Sequence, residues 1–295
     1  MNSELKSRAP VLRLSWPRLL TRLAVKGFSY LLLLAIALLV VIPFYWMFLT
    51  SILPISEVYS PSTKWLPTHI DLSAYVNAFS SEALPFARFF LNSVIVATSV
   101  TVLQVITSSM AAYSLARLRY PGRDMLFLVY LSTLMIPVQV TMIPTFIVLR
   151  WLGWVDTYAG LILPAAFSPF GVFLLRQYFL TLPYELEDAA RIDGASFFQT
   201  YWLIIMPLSG PAITALSIFT FLAQWNEFLW PLVVTNRLEM FTLSIGLQYF
   251  RGLEFAQWPE LMAVALVSML PVLVVFLVQQ RRFVQGIALT GLTGR

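Results

Sequence analysis

The chain has 295 residues, of which 59% are apolar or aromatic and only 11% charged, with a mean hydropathy of +0.80. Soluble domains carry about 25% charged residues, so this composition excludes a water-soluble globule and indicates an integral membrane protein. With no cysteine and one histidine, His69, it also excludes disulfides, thiolate chemistry and multi-histidine metal sites; the net charge of +5 would suit nucleic acid only if the basic residues lay away from membrane boundaries.

Helices and closed barrels alone satisfy the backbone in lipid. Long unbroken apolar runs, such as LLLLAIALLVVI after Tyr30, select helices over the alternating strands of a barrel. A basic leader, 1–26, precedes a first span near 27–49. No small-residue cleavage site follows that span, and Pro43-Phe44-Tyr45-Trp46 closes it with an aromatic belt, so it is read as retained. Five more spans follow near 86–115, 125–149, 157–179, 207–233 and 260–280, which together with the first make a six-span domain over 27–280.

Basic residues alternate with these spans. Lys6, Arg8, Arg13, Arg18, Arg22 and Lys26 lie in the leader, Arg117, Arg119 and Arg123 after the second span, Arg176 and Arg191 beside the fourth, and Arg281, Arg282 and Arg295 at the end. These are 14 of the 19 Lys and Arg residues, so both termini are expected in the cytoplasm and the positive charge is a topology signal. No nucleic-acid partner is expected. The external connections are then 50–85, 151–156 and 234–259.

One cytoplasmic loop is long. Over 181–206 it opens with Pro183 and with Glu185, Glu187 and Asp188 in the first turns of a short helix, where the helix dipole favours anions. Leu186, Ala189 and Ala190 share one face by their spacing, and Gly194 ends the helix. Ser196 and Gln199 then fit a capping box that starts a second helix leading into the fifth span. The expected product is a helix–glycine–helix elbow standing out of the membrane. An amphipathic loop lying on headgroups is the alternative, but its acidic first helix would be repelled by an anionic leaflet. A soluble partner with a complementary groove suits it better.

Asp188-Ala189-Ala190, Gly194 and Ile204-Ile205-Met206-Pro207, spaced by three and nine residues, resemble the EAA signature of permease subunits in binding-protein-dependent ABC importers. The surrounding Leu186-to-Ala195 stretch, Trp225-Asn226-Glu227-Phe228-Leu229-Trp230-Pro231-Leu232 and Gln280-Arg281-Arg282-Phe283-Val284-Gln285-Gly286 are similar to the sugar-importer branch, and to its maltose-type second permease most of all. Asp188 stands where the signature usually has glutamate, with Glu187 before it, and Met206 where it usually has leucine. The resemblance implies the six-span type I importer fold, with the elbow as a coupling helix seated in a cytoplasmic ATPase. Its implied contacts are Glu187, Asp188, Ala189, Ala190, Arg191, Asp193 and Gly194. It further implies a second homologous permease, an ATPase dimer that uses ATP and magnesium, an extracytoplasmic solute-binding protein and a bacterial or archaeal plasma membrane. The tail, 281–295, reads as unstructured from composition; the resemblance implies insertion between the ATPase subunits.

No GxxxxGK[ST] phosphate loop occurs in the chain, so it is read as a translocation subunit and not as an enzyme, with no cofactor of its own. No charge lies near the centre of a span, which argues against an ion-coupled carrier, the other transport reading. The interfacial acids lack a metal-ligand pattern, which argues against a membrane-embedded enzyme. Candidate contacts for a sugar-like solute are the neutral Asn92, Gln104, Gln139, Gln224, Trp225 and Asn226, which could equally be interhelical hydrogen bonds. Pro137, Pro144, Pro164, Pro169, Pro207, Pro211 and Pro271 are expected to bend helices. The external segment 234–259 resembles the loop that meets the binding protein, with Arg237, Tyr249, Arg251 and Glu254 as contacts; a plain exposed turn explains them equally well.

Overall fold

The computed structural model of the protein describes residues 16–61, 65–67, 69–81, 85–252 and 257–292, and every regular element among them is helical. Helix α1 (Trp16–Ser51) carries the first apolar run, and none of its apolar window is buried by the rest of the chain. It lies along the last helix, α15 (Trp258–Leu292). The described part of the connection between the first two spans is partly helical. It holds α2 (Ile55–Val58) and α3 (Ser73–Ser80), and the Asp71 carboxylate accepts from the Ser73 amide at 2.9 Å to start α3.

Helix α4 (Phe86–Arg117) is continuous over 32 residues and has no internal proline. The next three expected spans are each broken. Helices α5 (Arg123–Ser132) and α6 (Val138–Trp151) meet at 97°, the segment of α7 (Tyr158–Ile162) meets α8 (Pro169–Phe179) at 43°, and the elbow segment meets α12 (Gly210–Trp225) at 78°. Pro137, Pro169 and Pro211 stand at or just after these breaks, in the first turn, where a missing N–H leaves no helical bond unmade. Pro43, Pro144 and Pro271 lie inside helices that run through them. Among the described residues three helices are long and apolar enough to cross a membrane alone, and up to six spans result if each bent pair counts as one.

Helix α4 supplies residues to all four apolar clusters of the core. Ala112, Tyr113, Leu115 and Ala116 pack at one end with Leu175, Phe179, Tyr201 and Ile205, while Phe86, Phe89, Val96, Ala97 and Val100 serve the clusters towards the other. It also repairs its broken neighbour. The turn between α7 and α8 leaves the carbonyls of Ala165 and Ala166 without helical partners, and Gln104 and Thr107 of α4 donate to them at 2.7 and 2.8 Å. In an apolar interior such groups must be paired.

At the far end from the elbow, α13 (Leu229–Val234) leads into a segment that turns back on α4 and forms α14 (Leu243–Gly252). Four side chains of α4 hold it. Arg88 donates to the Glu239 carbonyl at 3.3 Å, Asn92 donates to the carbonyls of Glu239 and Phe241 at 2.8 and 2.9 Å, Ser93 accepts from the Leu243 amide at 2.8 Å, and Phe89 lies under Gly246. Helix α15 continues to Leu292, so the backbone of most of the tail is helical, against the reading from composition; residues 293–295 lie outside the described range.

A Cβ at Gly246 would run into the buried Phe89 ring. Gly246→Val is therefore expected to lift α14 from α4 and lower stability by about 1–3 kcal/mol, as overpacking does. Thermal unfolding in detergent, with proteolysis after residue 237, checks this.

Candidate functional site

The elbow forms as its sequence dictates. Helix α9 (Glu185–Ile192) follows Pro183 with three acids in its first turn, and Gly194 ends it at φ +82°. That left-handed conformation is one that residues with a Cβ rarely adopt. The Ala195 amide then donates to the Ala190 carbonyl at 2.9 Å. Helix α10 (Phe197–Thr200) opens with the complete capping box: the Ser196 hydroxyl accepts from the Gln199 amide, and the Gln199 side chain accepts from the Ser196 amide at 2.8 Å. Its continuation is a π-helical turn, Tyr201–Ile205, before the short α11 (Met206–Leu208). Tyr201 is buried, its hydroxyl 2.8 Å from that of Ser109 on α4, so it belongs to the core and not to an interfacial belt.

The faces of α9 differ from those that spacing indicated. Glu187 and Ala190 are buried against the body of the protein, whereas Leu186 and Ala189 are exposed. Glu187 therefore leaves the set of outward contacts. Its Oε1 lies 2.9 Å from Nε of Arg117, the last residue of α4, and both side chains are fully enclosed, at 2% and 0% exposure. Arg117 also donates to the Leu182 carbonyl at 2.7 Å and lies over the Tyr184 ring, 4.2 Å from its centroid. Burial pushes the Glu187 carboxyl above the ordinary glutamate range, although Arg117 and Arg191 pull it the other way.

The same end of α4 is collared by cationic and hydroxyl donors. Its final carbonyls have no amides of their own helix left to bond. Arg176 donates to the Leu115 carbonyl at 3.1 Å, the Tyr184 hydroxyl to that of Ala116 at 3.4 Å, and Arg123 to that of Leu118 at 3.3 Å. Positive charge here also complements the negative end of the helix dipole. Asp124 ties the collar together through Arg123 at 3.2 Å and Arg176 at 3.0 Å, and the hydrogen bond from Arg123 leads in holding its carboxyl below the usual range. Sequence reasoning counted these arginines as topology signals and missed their structural work. The one available hint was a basic residue closing an apolar helix.

Outward, α9 presents Asp188, Ala189, Arg191, Asp193 and Gly194, together with one residue that sequence reasoning passed over: Ile192, 87% exposed. A single exposed isoleucine is ordinary on a protein surface; Ile192 stands among charges on the side of α9 turned away from the body. The visible signal was an apolar residue between Arg191 and Asp193, off the face shared by Leu186, Ala189 and Ala190.

Three of the six candidate solute contacts are taken up by structure. Asn92 is fully buried, giving both amide protons to the external segment and accepting from the Tyr158 hydroxyl at 2.6 Å. Gln104 is engaged by the Ala165 carbonyl and by the Thr220 hydroxyl at 2.9 Å, and buried Trp225 donates to the Ser268 carbonyl at 3.1 Å. Their polar groups are engaged by hydrogen bonds inside the chain. Gln139 and Asn226 are exposed and Gln224 is half-buried; the Asn226 amide bonds only locally, to the Leu222 carbonyl at 2.8 Å.

Of the candidate docking residues, Arg237 is held at both its amide and its guanidinium by Asp156. Asp156, in the left-handed region at φ 58°, accepts from the amides of Asn236 and Arg237 at 2.6 and 2.9 Å. Burial raises its carboxyl, but those amides more than offset this and hold it below the usual range. The Arg237 side chain donates to the Asp156 carbonyl at 2.9 Å and remains 64% exposed. Tyr249 is half-exposed beside Phe241. Arg251 lies in the last turn of α14, and Glu254 is outside the described residues.

Residues 104–289 match the model of a protein family described as the binding-protein-dependent transport system inner membrane component. The chain is 36% identical over 266 residues to the sn-glycerol-3-phosphate transport system permease protein UgpE of Escherichia coli O1:K1, across 88% of this chain and 95% of that one. The same figures hold for UgpE of Yersinia pestis. Among solved structures, a chain of a bacterial ABC transporter involved in the import of the acidic polysaccharide alginate superposes with a TM-score of 0.80 at 24% identity, covering 95% of this chain and all 100% of that one. A second, from the alginate ABC transporter in complex with an alginate pentasaccharide-bound periplasmic protein, gives 0.54 at 18% identity over 88% and 97%. At these identities the structural likeness speaks for the fold.

Removing one partner of the buried ion pair strands the other. Arg117→Met is expected to cost about 3–5 kcal/mol, whereas Arg117→Met with Glu187→Leu returns to within about 1 kcal/mol of the parent or exceeds it. The raised carboxyl sets the sign of a pH effect: the folded chain holds the Glu187 proton more tightly than the unfolded one, so its contribution to stability falls as pH rises through the raised value. Glu187→Gln is expected to remove that slope, measured by thermal unfolding against pH.

Proposed function

We propose that this chain, which belongs to the family of binding-protein-dependent transport system inner membrane components, is one half of the membrane pathway of an ATP-driven importer whose energy enters through the elbow. The observation that carries the reading is the two-sided construction of α9. Glu187 and Ala190 fasten it to the body, and Asp188, Ala189, Arg191, Ile192, Asp193 and Gly194 are offered outward. Ile192 supplies the apolar anchor, the charges fix orientation, and Ala189 and Gly194 let another backbone approach. A soluble ATPase subunit with a groove suits this face, and the elbow side is then the cytoplasmic side, with both termini there. ATP and magnesium belong to that partner.

One elbow serves one ATPase subunit, so an ATPase dimer calls for a second, homologous permease. The unburied apolar surface of α1 is free to meet that permease or lipid. The solute is a sugar or sugar-like polyhydroxylated compound brought by an extracytoplasmic binding protein. The relatives' names support this class, since glycerol 3-phosphate and alginate are both polyhydroxylated. In this chain Gln139, Gln224 and Asn226 remain available for hydroxyl groups, and Arg237 and Tyr249 are placed for the binding protein. The membrane is the plasma membrane of a bacterium or archaeon.

A buried apolar anchor at an interface is worth about 2 kcal/mol or more, roughly 30-fold in affinity. Ile192→Asp is expected to reduce ATPase recovered with this chain from a mild-detergent extract by that factor, and Gly194→Leu to do the same through backbone strain. A chain recovered alone that still moves solute in a proton gradient would contradict the reading in favour of an ion-coupled carrier.

A further inference from the structure

Helix α4 joins the two surfaces on which the proposed function depends. Its last residue, Arg117, pairs with Glu187 of the elbow, and its first three turns hold the segment that carries Arg237 and Tyr249 through Arg88, Phe89, Asn92 and Ser93. Arg117 and Asn92 are 25 residues apart, about 38 Å at the rise of an α-helix. Both attachments are enclosed: Asn92, Arg117 and Glu187 are each at most 3% exposed. The other connections between these ends are interrupted, by bends of 97°, 43° and 78°. Of the remaining long helices, α1 buries none of its apolar window and α15 17% of its own, against 33% for α4. A displacement of the elbow therefore meets one continuous helix held by buried side chains at both ends, and its far end is fastened to the external segment.

We infer that α4 is a transmission rod between the elbow and the segment around residues 237–252, with Arg117 and Asn92 as positioning residues at its two ends. The inference rests on the proposed ATPase docking. Coupling between distant sites needs an element that both sites bias, and by thermodynamic reciprocity the rod works in both directions. ATPase closure is felt at the binding-protein surface, and a binding protein seated outside is felt at the elbow. The neutral Asn92, first a candidate for solute contact, takes its place here through three hydrogen bonds: two given to the segment and one accepted from Tyr158.

The test is hydrogen exchange on the complete complex purified from its native membrane, with and without magnesium and ATP. In the parent, the nucleotide is expected to alter exchange both at 185–195 and at 238–252. In Asn92→Leu, which keeps the side-chain volume and removes the clasp, the response at 185–195 persists while that at 238–252 falls by about 2- to 30-fold, the range that residues along such networks carry. Ser93→Ala, a smaller change, gives the same split in weaker form and serves if Asn92→Leu does not assemble. A response at 238–252 undiminished in both variants, or absent from the parent while the elbow responds, overturns the rod alone. A parent preparation without a bound ATPase overturns the docking and the rod with it.

Discussion

The carbonyl oxygens that end α4 have exhausted the amides of their own helix, and the way they are satisfied determines how the rest of this side of the protein is built. Arg176 of α8, Tyr184 at the head of α9 and Arg123 at the head of α5 each reach one of them. The following helix α5 and the more distant pair α8 and α9 are thereby gathered round one helix terminus. Arg117 then draws in Glu187, and the position of α9 follows. An ion pair this deeply enclosed gains little net stability. With Glu187 joined to Arg117, α9 sits with Ile192 outward and Ala190 inward.

Elsewhere on α4 several side chains bond polar groups of other elements, although the buried hydroxyls of Ser108 and Tyr113 have no hydrogen-bond partner among the described residues. Gln104 and Thr107 serve a broken turn, Asn92 and Ser93 a returning segment, and Ser109 a buried tyrosine. The break between α7 and α8 is tolerable because its unbroken neighbour α4 supplies donors where the backbone is interrupted, and at the break before α12 the Tyr178 hydroxyl of α8 donates to the Leu208 carbonyl. The result combines one stiff helix with several jointed ones.

Much of this was legible in the sequence. Helix formation followed from the long apolar runs, and the elbow with its glycine stop and capping box followed from Pro183, Gly194, Ser196 and Gln199. The family was visible in the spacing from Asp188 to Pro207. The side chains were harder. A polar residue in a span reads the same whether it faces a solute or a carbonyl three helices away, and only the fold tells that Asn92, Gln104 and Trp225 belong to the second kind. Likewise Glu187 was one acid among four until Arg117 was seen beside it, because partners 70 residues apart leave no periodic trace. Prolines marked breaks only where they open a helix, as Pro169 does, and not where they lie within one, as Pro271 does.

The account turns on which surface of the elbow faces a partner and on which side of the membrane that partner sits. Because the chain has no cysteine, single thiols can be placed without background. Ile192→Cys and Trp151→Cys, at positions 87% and 81% exposed, sit on opposite sides in this topology. Treated with a thiol-to-amine cross-linker in native membranes, Ile192→Cys is predicted to give an adduct with the ATPase subunit and Trp151→Cys none. An adduct at Trp151→Cys, or none at Ile192→Cys while the ATPase is present, would contradict it.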